Sequence, residues 1–516
     1  MHPEFRATMA WLHTWAGVIL GALMFVMFFM GTLSVFKVEI DRWMLPQSRV
    51  EAPNGPVSAH ELYEAAAAHV GPGAQFINFE LPSAHTPAVY VIAVGTEEQR
   101  KTFFIDPNTM NVTGPQDSLA AKNFLYPLHY RLTPMPYGRW VSGAIAIFML
   151  AMMVSGVVIH RKIFVEFFVF RPRKKLPRSS LDLHNLSSVV ALPFHILITF
   201  TGVLVLFTLY FEPSLEAAYP GEHAPRAAVA HDLLGTQSVR PIGQPAQGPI
   251  ASIDDMMAAA SAAWGGEEVK QINVLYPDDA GGVVTLSKSL AYQVSAHGEP
   301  IQFEASSGKM LTVPQTTVAY STQQWLAGAH LIFFEHWVLR WLYFVGGIAG
   351  CIMIATGYIY WMETRRKLYR QNNWLGVRIV EALAMWGVMG LMTATAVYFV
   401  ANRLLAPGNW SWNGVPRFAI ELIAFYAAML IALLHGLVRG KSAWGEQAWL
   451  LGGLTVAAVF LNWATTGDHL EKTLARSDYA IAAMDILLLI TATISIAVAR
   501  KISRVRRNEG TLHNSA

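Results

Sequence analysis

The chain carries one cysteine, Cys351, in 516 residues. That near-absence excludes an intrachain disulfide framework, thiolate-ligated iron–sulfur clusters and cysteine-based structural zinc sites. Charge is also scarce: 14% of residues are Asp, Glu, Lys or Arg, against about 25% in soluble domains. The net charge of +3 is too small an excess to suggest a nucleic-acid binder. No small-residue cleavage site follows the first apolar run, Trp11 to Phe36, which is too long for a signal-peptide core and is expected to be retained as a helix. What is plentiful is apolar surface, at 53% of residues, and histidine, at 17 copies. An α-helical integral membrane protein is the consequence.

Runs of about 20 apolar residues, the length that spans a bilayer, occur near 11–36, 139–160, 186–210, 338–361, 378–400, 416–438, 446–464 and 479–499. They predict eight transmembrane helices. Arg161, Lys162, Arg171, Arg173, Lys174, Lys175 and Arg178 crowd the link between the second and third. Arg365, Arg366, Lys367 and Arg370 follow the fourth, and Arg500, Lys501, Arg504, Arg506 and Arg507 the eighth. Basic loops stay inside, so both termini are expected to be cytoplasmic, with the spans in contact with membrane lipid. Segments 37–137 and 212–335 then lie outside as two small α+β domains. In the first, Ala59–Ala65 has helical periodicity, and Ala88–Val94 and Lys101–Pro107 read as strands before a turn ending at Gly114. The second repeats the order: helix at Ile253–Ala263, then strands at Gly282–Leu286 and Ile301–Glu304. The remaining boundaries are a first span over 1–36, spans two and three with their basic loop over 138–211, span four over 336–362, and a bundle of spans five to eight with a basic tail over 363–516.

Two spacings recur between the halves. His13 precedes Gly31 by 18 residues and His184 precedes Gly202 by 18; His129 precedes Gly156 by 27 and His330 precedes Gly357 by 27, with Arg139-Trp140 and Arg340-Trp341 between. The pattern is an internal duplication of a helix, outside domain, helix unit. Ionisable groups at membrane depth are costly and usually functional, and imidazoles on facing helices are natural axial ligands for haem iron. Two haems are expected. His129 and His330 are the outer pair, with His336 in reserve. The inner ligands are two of His13, His160, His184 and His195, the pairing left open. On one continuous helix, His184 and His195 stand about 16 Å apart, too far to share an iron. Haem b is expected, since no Cys-x-x-Cys-His attachment motif occurs. His60, His69, His85, His223, His231 and His297 read as ordinary surface residues; His435 and His469 receive no role.

These residues resemble the PepSY-associated transmembrane family of iron-regulated membrane proteins, which includes ferric-siderophore reductases, over about residues 8–365. The resemblance rests on Ser155 to Phe164, Phe170-Arg171-Pro172, Leu181 to Asn185 and Leu192-Pro193-Phe194-His195. Leu12-His13, Leu128 to Arg131, Pro136 to Arg139 and Ala329-His330 also match, as does Phe103 to Pro107 with Gly114, which looks like the end of a PepSY domain. The second outside segment lacks that Asp-Pro pair. The resemblance implies a di-haem b-type oxidoreductase that passes electrons across the membrane to ferric siderophore or another ferric chelate. No glycine-rich strand–turn–helix appears on the cytoplasmic side, so the chain is not expected to bind NAD(P)H or flavin, and an external cytoplasmic or membrane donor is required. Arg139 and Arg340 are candidate partners for haem carboxylates. Tyr126, Tyr130, Tyr137, Trp140, Trp325, Trp337 and Trp341 are either an interfacial belt or a docking surface. Two rivals remain: a transporter using Glu421 and Asp485 within the last four helices, and a non-enzymatic PepSY binding module.

Overall fold

The structure, a computed structural model, describes residues 3–83, 85–95, 100–160, 169–206, 210, 212–219, 241–246, 248–312, 317–372, 375–408 and 411–514. Arg161 and Lys162 of the basic link, and His223 and His231, lie outside the described residues. Among those described, seven helices are long and apolar enough to cross a membrane: Glu4–Ser34, Gly138–Ile159, Trp337–Arg365, Leu375–Leu404, Arg417–Arg439, Lys441–Thr466 and Tyr479–Val505. The expected third span is instead a broken pair, Leu176–Val190 and Leu192–Val205, bent by 65°. Pro193 stands at the break; it has no N–H to give, and its ring clashes with the carbonyl four residues earlier. Counted as one span, the pair restores eight. The 65° bend shortens the separation of about 16 Å that an unbroken helix would set between His184 and His195, but the two rings still lie against glycines seven residues apart on one helix, Gly357 and Gly350.

The chain divides into two compact units. The helical unit takes Met1–Met44, Asp117–Phe200 and Trp341–Ala516, so both ends of the first expected outside segment, 37–44 and 117–137, belong to it. Polar anchoring explains why. Trp43 donates its indole N–H to Asp485 at 2.8 Å, and Asn462 reaches the other carboxylate oxygen at 3.4 Å. Arg417 pairs with Asp117 at 2.6 Å and with Glu421 at 3.2 Å. Glu421 also accepts from Ser118 at 2.5 Å and from Asn402 at 2.9 Å, while Arg403 donates to the Met44 carbonyl. Each charge is paired or hydrogen-bonded, as buried charge must be.

Leu45–Gln116 and Thr201–Arg340 form the second unit. Its strands are β1 Phe76–Glu80, β2 Val89–Val94, β3 Arg100–Ile105, β4 Val112–Pro115, β5 Val269–Leu275, β6 Val283–Lys288, β7 Ile301–Glu304 and β8 Met310–Thr312. They make one antiparallel sheet in the order β4-β3-β2-β1-β5-β6-β7-β8. The expectation of two separate small domains is therefore corrected. Each half has a free edge, and β1 pairs with β5 from Phe76↔Leu275 to Glu80↔Gln271, which satisfies both rows of backbone groups. Helices Ala59–Val70 and Ile253–Ala263 cover one face, sharing a single core with Ile77, Phe79, Val91, Phe103, Ile272, Val274, Leu286 and Phe303. Ser58 and Ser252 cap these helices by accepting from Glu61 N and Asp255 N.

The loop from Ser289 to Gly298 lies along helix Val318–Leu331, with Ala296 N donating to Gln324 O and Glu335 N to Ala291 O. It crosses the helix at Gly328, where any Cβ would run into the Val294 carbonyl. Gly328→Ala is expected to destabilise the sheet unit by about 1–3 kcal/mol, the cost of overpacking a tight contact; thermal unfolding of the purified protein measures it. The same loop buries His297 edge-on against Tyr320 at 5.1 Å. His297 is thus a packed residue, not the surface residue its loop position suggested.

Candidate functional site

His13 stands on the first helix, His184 on Leu176–Val190, and the two ring centres lie 6.3 Å apart with their planes at 86°. His13 Nδ1 lies 3.0 Å from the Met152 carbonyl and His184 Nδ1 2.7 Å from the Met353 carbonyl. His129, on the short helix Tyr126–Arg131, has Nδ1 2.7 Å from the Met27 carbonyl. A carbonyl oxygen can only accept, so each of these Nδ1 atoms carries the proton and each Nε2 keeps its lone pair. That tautomer is the one a metal needs, held by a hydrogen bond to the far ring nitrogen. His330, on Val318–Leu331, has Nδ1 3.3 Å from the Thr201 hydroxyl.

His195 is different. It is fully buried, its Nε2 donates to the Gly346 carbonyl at 3.1 Å, and its Nδ1 has no hydrogen-bond partner among the described residues. Phe28 and Phe194 pack edge-on against it. Its Nε2 is thus already committed. His160 ends the helix Gly138–Ile159 as its cap residue, and His336 is exposed and accepts from Leu339 N at 3.4 Å, so a buried reserve ligand is not what His336 offers.

A cavity of about 640 Å³ opens between the helices that carry His13 and His184. Met24, Met149, Met152, Met153 and Met353 give it an apolar wall; Tyr358, Trp361 and Arg365 close another side, and His160 and His195 also border it. Among the described residues Arg365 is its one formally charged lining residue, and no carboxylate lines it. The Arg365 guanidinium lies over the Trp361 ring at 4.9 Å, and Tyr358 donates to the Val18 carbonyl at 3.1 Å. Such a cavity suits a flat, mostly apolar ligand with an anionic edge and a metal at its centre. A metal held at about 2 Å by a nitrogen of each of two facing imidazoles would set the ring centres about 6 Å apart, which is the spacing observed. Among the described residues no group of three or more His, Cys, Asp or Glu side chains can hold a metal ion unaided, whereas a macrocycle-bound iron asks the protein for two axial ligands at most.

The other sequence candidates separate on position. Arg139 lies over the Tyr130 ring at 5.7 Å, and Arg340 is buried, over Trp337 at 5.1 Å. Tyr126 and Tyr130 pack together, but Tyr137, Trp140, Trp325, Trp337 and Trp341 are exposed, as an interfacial belt would be. His435 bonds Glu446 at 2.8 Å, and His469 caps the helix Leu470–Ala475. Glu421 and Asp485 are both held in the hydrogen bonds given above, which accounts for them without transport. Arg365 entered the sequence reading only as a charge that sets orientation, although its place one turn after Trp361 was a usable signal.

Sequence reading also missed Asp41, for which no pattern exists. One oxygen of its carboxylate accepts from Ala121 N at 2.7 Å and Lys122 N at 3.1 Å, at the start of the turn that leads into the His129 helix. Burial pushes this carboxyl up to about 6, against the pull of the two N–H groups. The stability its protonated form contributes is present below about pH 4 and is lost as pH rises through about 6. Asp41→Asn keeps an oxygen for both N–H groups and removes that loss. It is expected to melt at or above wild type at about pH 8, whereas Asp41→Ala leaves two donors unpaired and costs about 1–3 kcal/mol. Thermal unfolding at several pH values decides: an Asn variant less stable than wild type at the alkaline end would refute the buried carboxylate.

The model of the PepSY-associated transmembrane region matches residues 10–364. The chain belongs to this family. An uncharacterized protein of Pseudomonas aeruginosa is 23% identical over 396 residues, which is 73% of this chain and 94% of that one. Within the family match fall His13, His129, His184 and His330, the whole sheet unit and all but the last of the lining residues of the cavity, Arg365; the helices from Leu375 onward lie beyond it.

Proposed function

We propose that this PepSY-associated transmembrane protein is a di-haem b-type ferric-chelate reductase, with ferric siderophores the foremost substrates. The observation that carries the reading is the inner pair: His13 and His184, with Nε2 left as the acceptor nitrogen and ring centres 6.3 Å apart, beside an apolar cavity whose one cationic lining residue among those described is Arg365. When bound, each haem supplies a one-electron Fe(III)/Fe(II) couple. His13 and His184 would hold the inner one, Arg365 would neutralise its carboxylates, and the methionine wall would exclude water. His129 and His330 would hold the outer one as the two copies of a duplicated helix–lobe–helix unit, with Arg139 and Arg340 as carboxylate partners. The lone Cys351 leaves no thioether attachment, which favours haem b.

The sheet unit is then a pair of PepSY-like lobes on the periplasmic face of the bacterial inner membrane, both termini are cytoplasmic, and the substrate docks on the periplasmic side. There the chelated Fe(III) gains one electron and becomes Fe(II), for which hard oxygen donors have much less affinity, so metal leaves and the chelator survives. The electron comes from an external donor at the cytoplasmic or membrane side. A dithionite-reduced minus oxidised spectrum of purified protein, with haem quantified as pyridine haemochrome, tests this: two low-spin b haems per chain, reoxidised by an added ferric chelate, are expected. A folded preparation without haem ends the proposal.

A further inference from the structure

Each histidine of the repeated set rests on a glycine of a neighbouring helix. A Cβ on Gly31 would lie 2.8 Å from His129 Cε1, on Gly202 2.8 Å from His330 Cε1, on Gly156 3.3 Å from His13 Cε1, and on Gly357 3.2 Å from His184 Nδ1. Three of these glycines share a further relation. The carbonyl that takes the Nδ1 proton belongs to the residue four positions earlier: Met27 for Gly31, Met152 for Gly156, Met353 for Gly357. In a helix that carbonyl already accepts from the glycine's own N–H, and the next side chain along the same face would normally cover it. Glycine uncovers it.

We infer that Gly31, Gly156, Gly202 and Gly357 are positioning residues for haem ligation. Each is a gap through which an imidazole reaches across to the neighbouring helix, and at Gly31, Gly156 and Gly357 the uncovered carbonyl binds the Nδ1 proton and leaves Nε2 for iron. The inference rests on the di-haem reading and deepens it, since it names what fixes the tautomer and the tilt of the ligands. The clasps are reciprocal within each half. The first helix lends Gly31 to His129 and takes Gly156 for His13, so one pair of segments sets one ligand at each level. The fourth clasp is a variant in which the Thr201 hydroxyl, beside Gly202, lies within reach of the imidazole. Gly350 shows the alternative outcome: it stands four residues after Gly346, whose carbonyl binds the Nε2 of His195. The same gap with the ring reversed occupies the nitrogen that iron would need.

The test is Gly31→Ala, read as haem per chain by pyridine haemochrome, as low-spin electron paramagnetic resonance of the oxidised protein, and as haemin titration of haem-free protein. Gly453→Ala, where an added Cβ meets nothing within 4 Å, is the control. Expected is loss of one haem from Gly31→Ala with the other signal intact, the retained haem itself reporting that the bundle is folded. The converse is expected of Gly357→Ala, which should lose the other resonance. If Gly31→Ala does not yield monodisperse protein, Gly156→Ala replaces it; its milder 3.3 Å contact should shift the resonance of the His13 site and weaken haemin binding there at least tenfold. Two haems with unperturbed resonances in these variants overturn the inference. Wild-type protein without haem would overturn the di-haem reading instead, so the two failures are distinct.

Discussion

His184→Ala is expected to halve the haem content of the purified protein and abolish ferric-chelate reduction driven from the donor side. Of the two other histidines that border the cavity, His160 is the cap residue of its helix and His195 holds its Nε2 on the Gly346 carbonyl. For His195 to replace His184, its ring would have to turn over inside a fully buried site between Phe28 and Phe194. His195→Ala should therefore keep both haems. The spectrum carries a second mark: the planes of His13 and His184 stand at 86°, and ring orientation is held by the Nδ1 hydrogen bonds. Perpendicular axial imidazoles give the highly anisotropic type of low-spin ferric resonance in place of the ordinary rhombic one, and that signal should disappear in His184→Ala while the other haem's remains. Retention of both signals in His184→Ala would exclude it as a ligand.

The second large effect is expected at Arg417. Its guanidinium is the shared partner of Asp117 and Glu421 and also donates to the Asn402 carbonyl at 2.6 Å. Arg417→Met removes one charge and strands two carboxylates in a buried place, where breaking a pair costs about 3–5 kcal/mol. Glu421→Gln is expected to be far milder, because an amide can still accept from Ser118 or Asn402 and the remaining Arg417–Asp117 pair is neutral. Thermal unfolding in detergent separates the two variants. Equal stability would mean that the network is hydrated and does not carry the join between the 117–118 segment and the last helices. A transporter relying on Glu421 would lose its activity in Glu421→Gln; a reductase should keep ferric-chelate reduction.

The helices and the family were legible because each leaves a long or specific signal. Ile253–Ala263 and Ile301–Glu304 were read to the residue. Four strands were missed: the short edge strands Val112–Pro115 and Met310–Thr312, and the two at the centre of the sheet, Phe76–Glu80 and Val269–Leu275. Alternate positions of the central two are polar, Asn78 and Glu80 on one and Gln271 and Asn273 on the other, and the Asn78 and Asn273 side chains bond each other across the pair. Local hydrophobicity therefore understated them, and with the central pair unseen the lobes looked separate. The break at Pro193 was visible as a residue but not as a bend, since apolar character continues through it. That His184 meets a carbonyl through Nδ1 and His195 through Nε2 was not legible at all, because side-chain direction is not encoded in spacing.

The β1–β5 junction also sets a timetable for assembly. About 190 residues separate the end of Phe76–Glu80 from the start of its partner Val269–Leu275, so at about 5–20 residues per second of synthesis the first strand waits roughly 10–40 s for it. During that interval the first lobe presents an unpaired edge with an apolar face, the arrangement most prone to pairing with a stranger. A second nascent copy offers the same edge. The polar row of Asn78 and Glu80 along that edge lowers the reward for a wrong match while leaving the right one, with Asn273 opposite Asn78, its own side-chain bond.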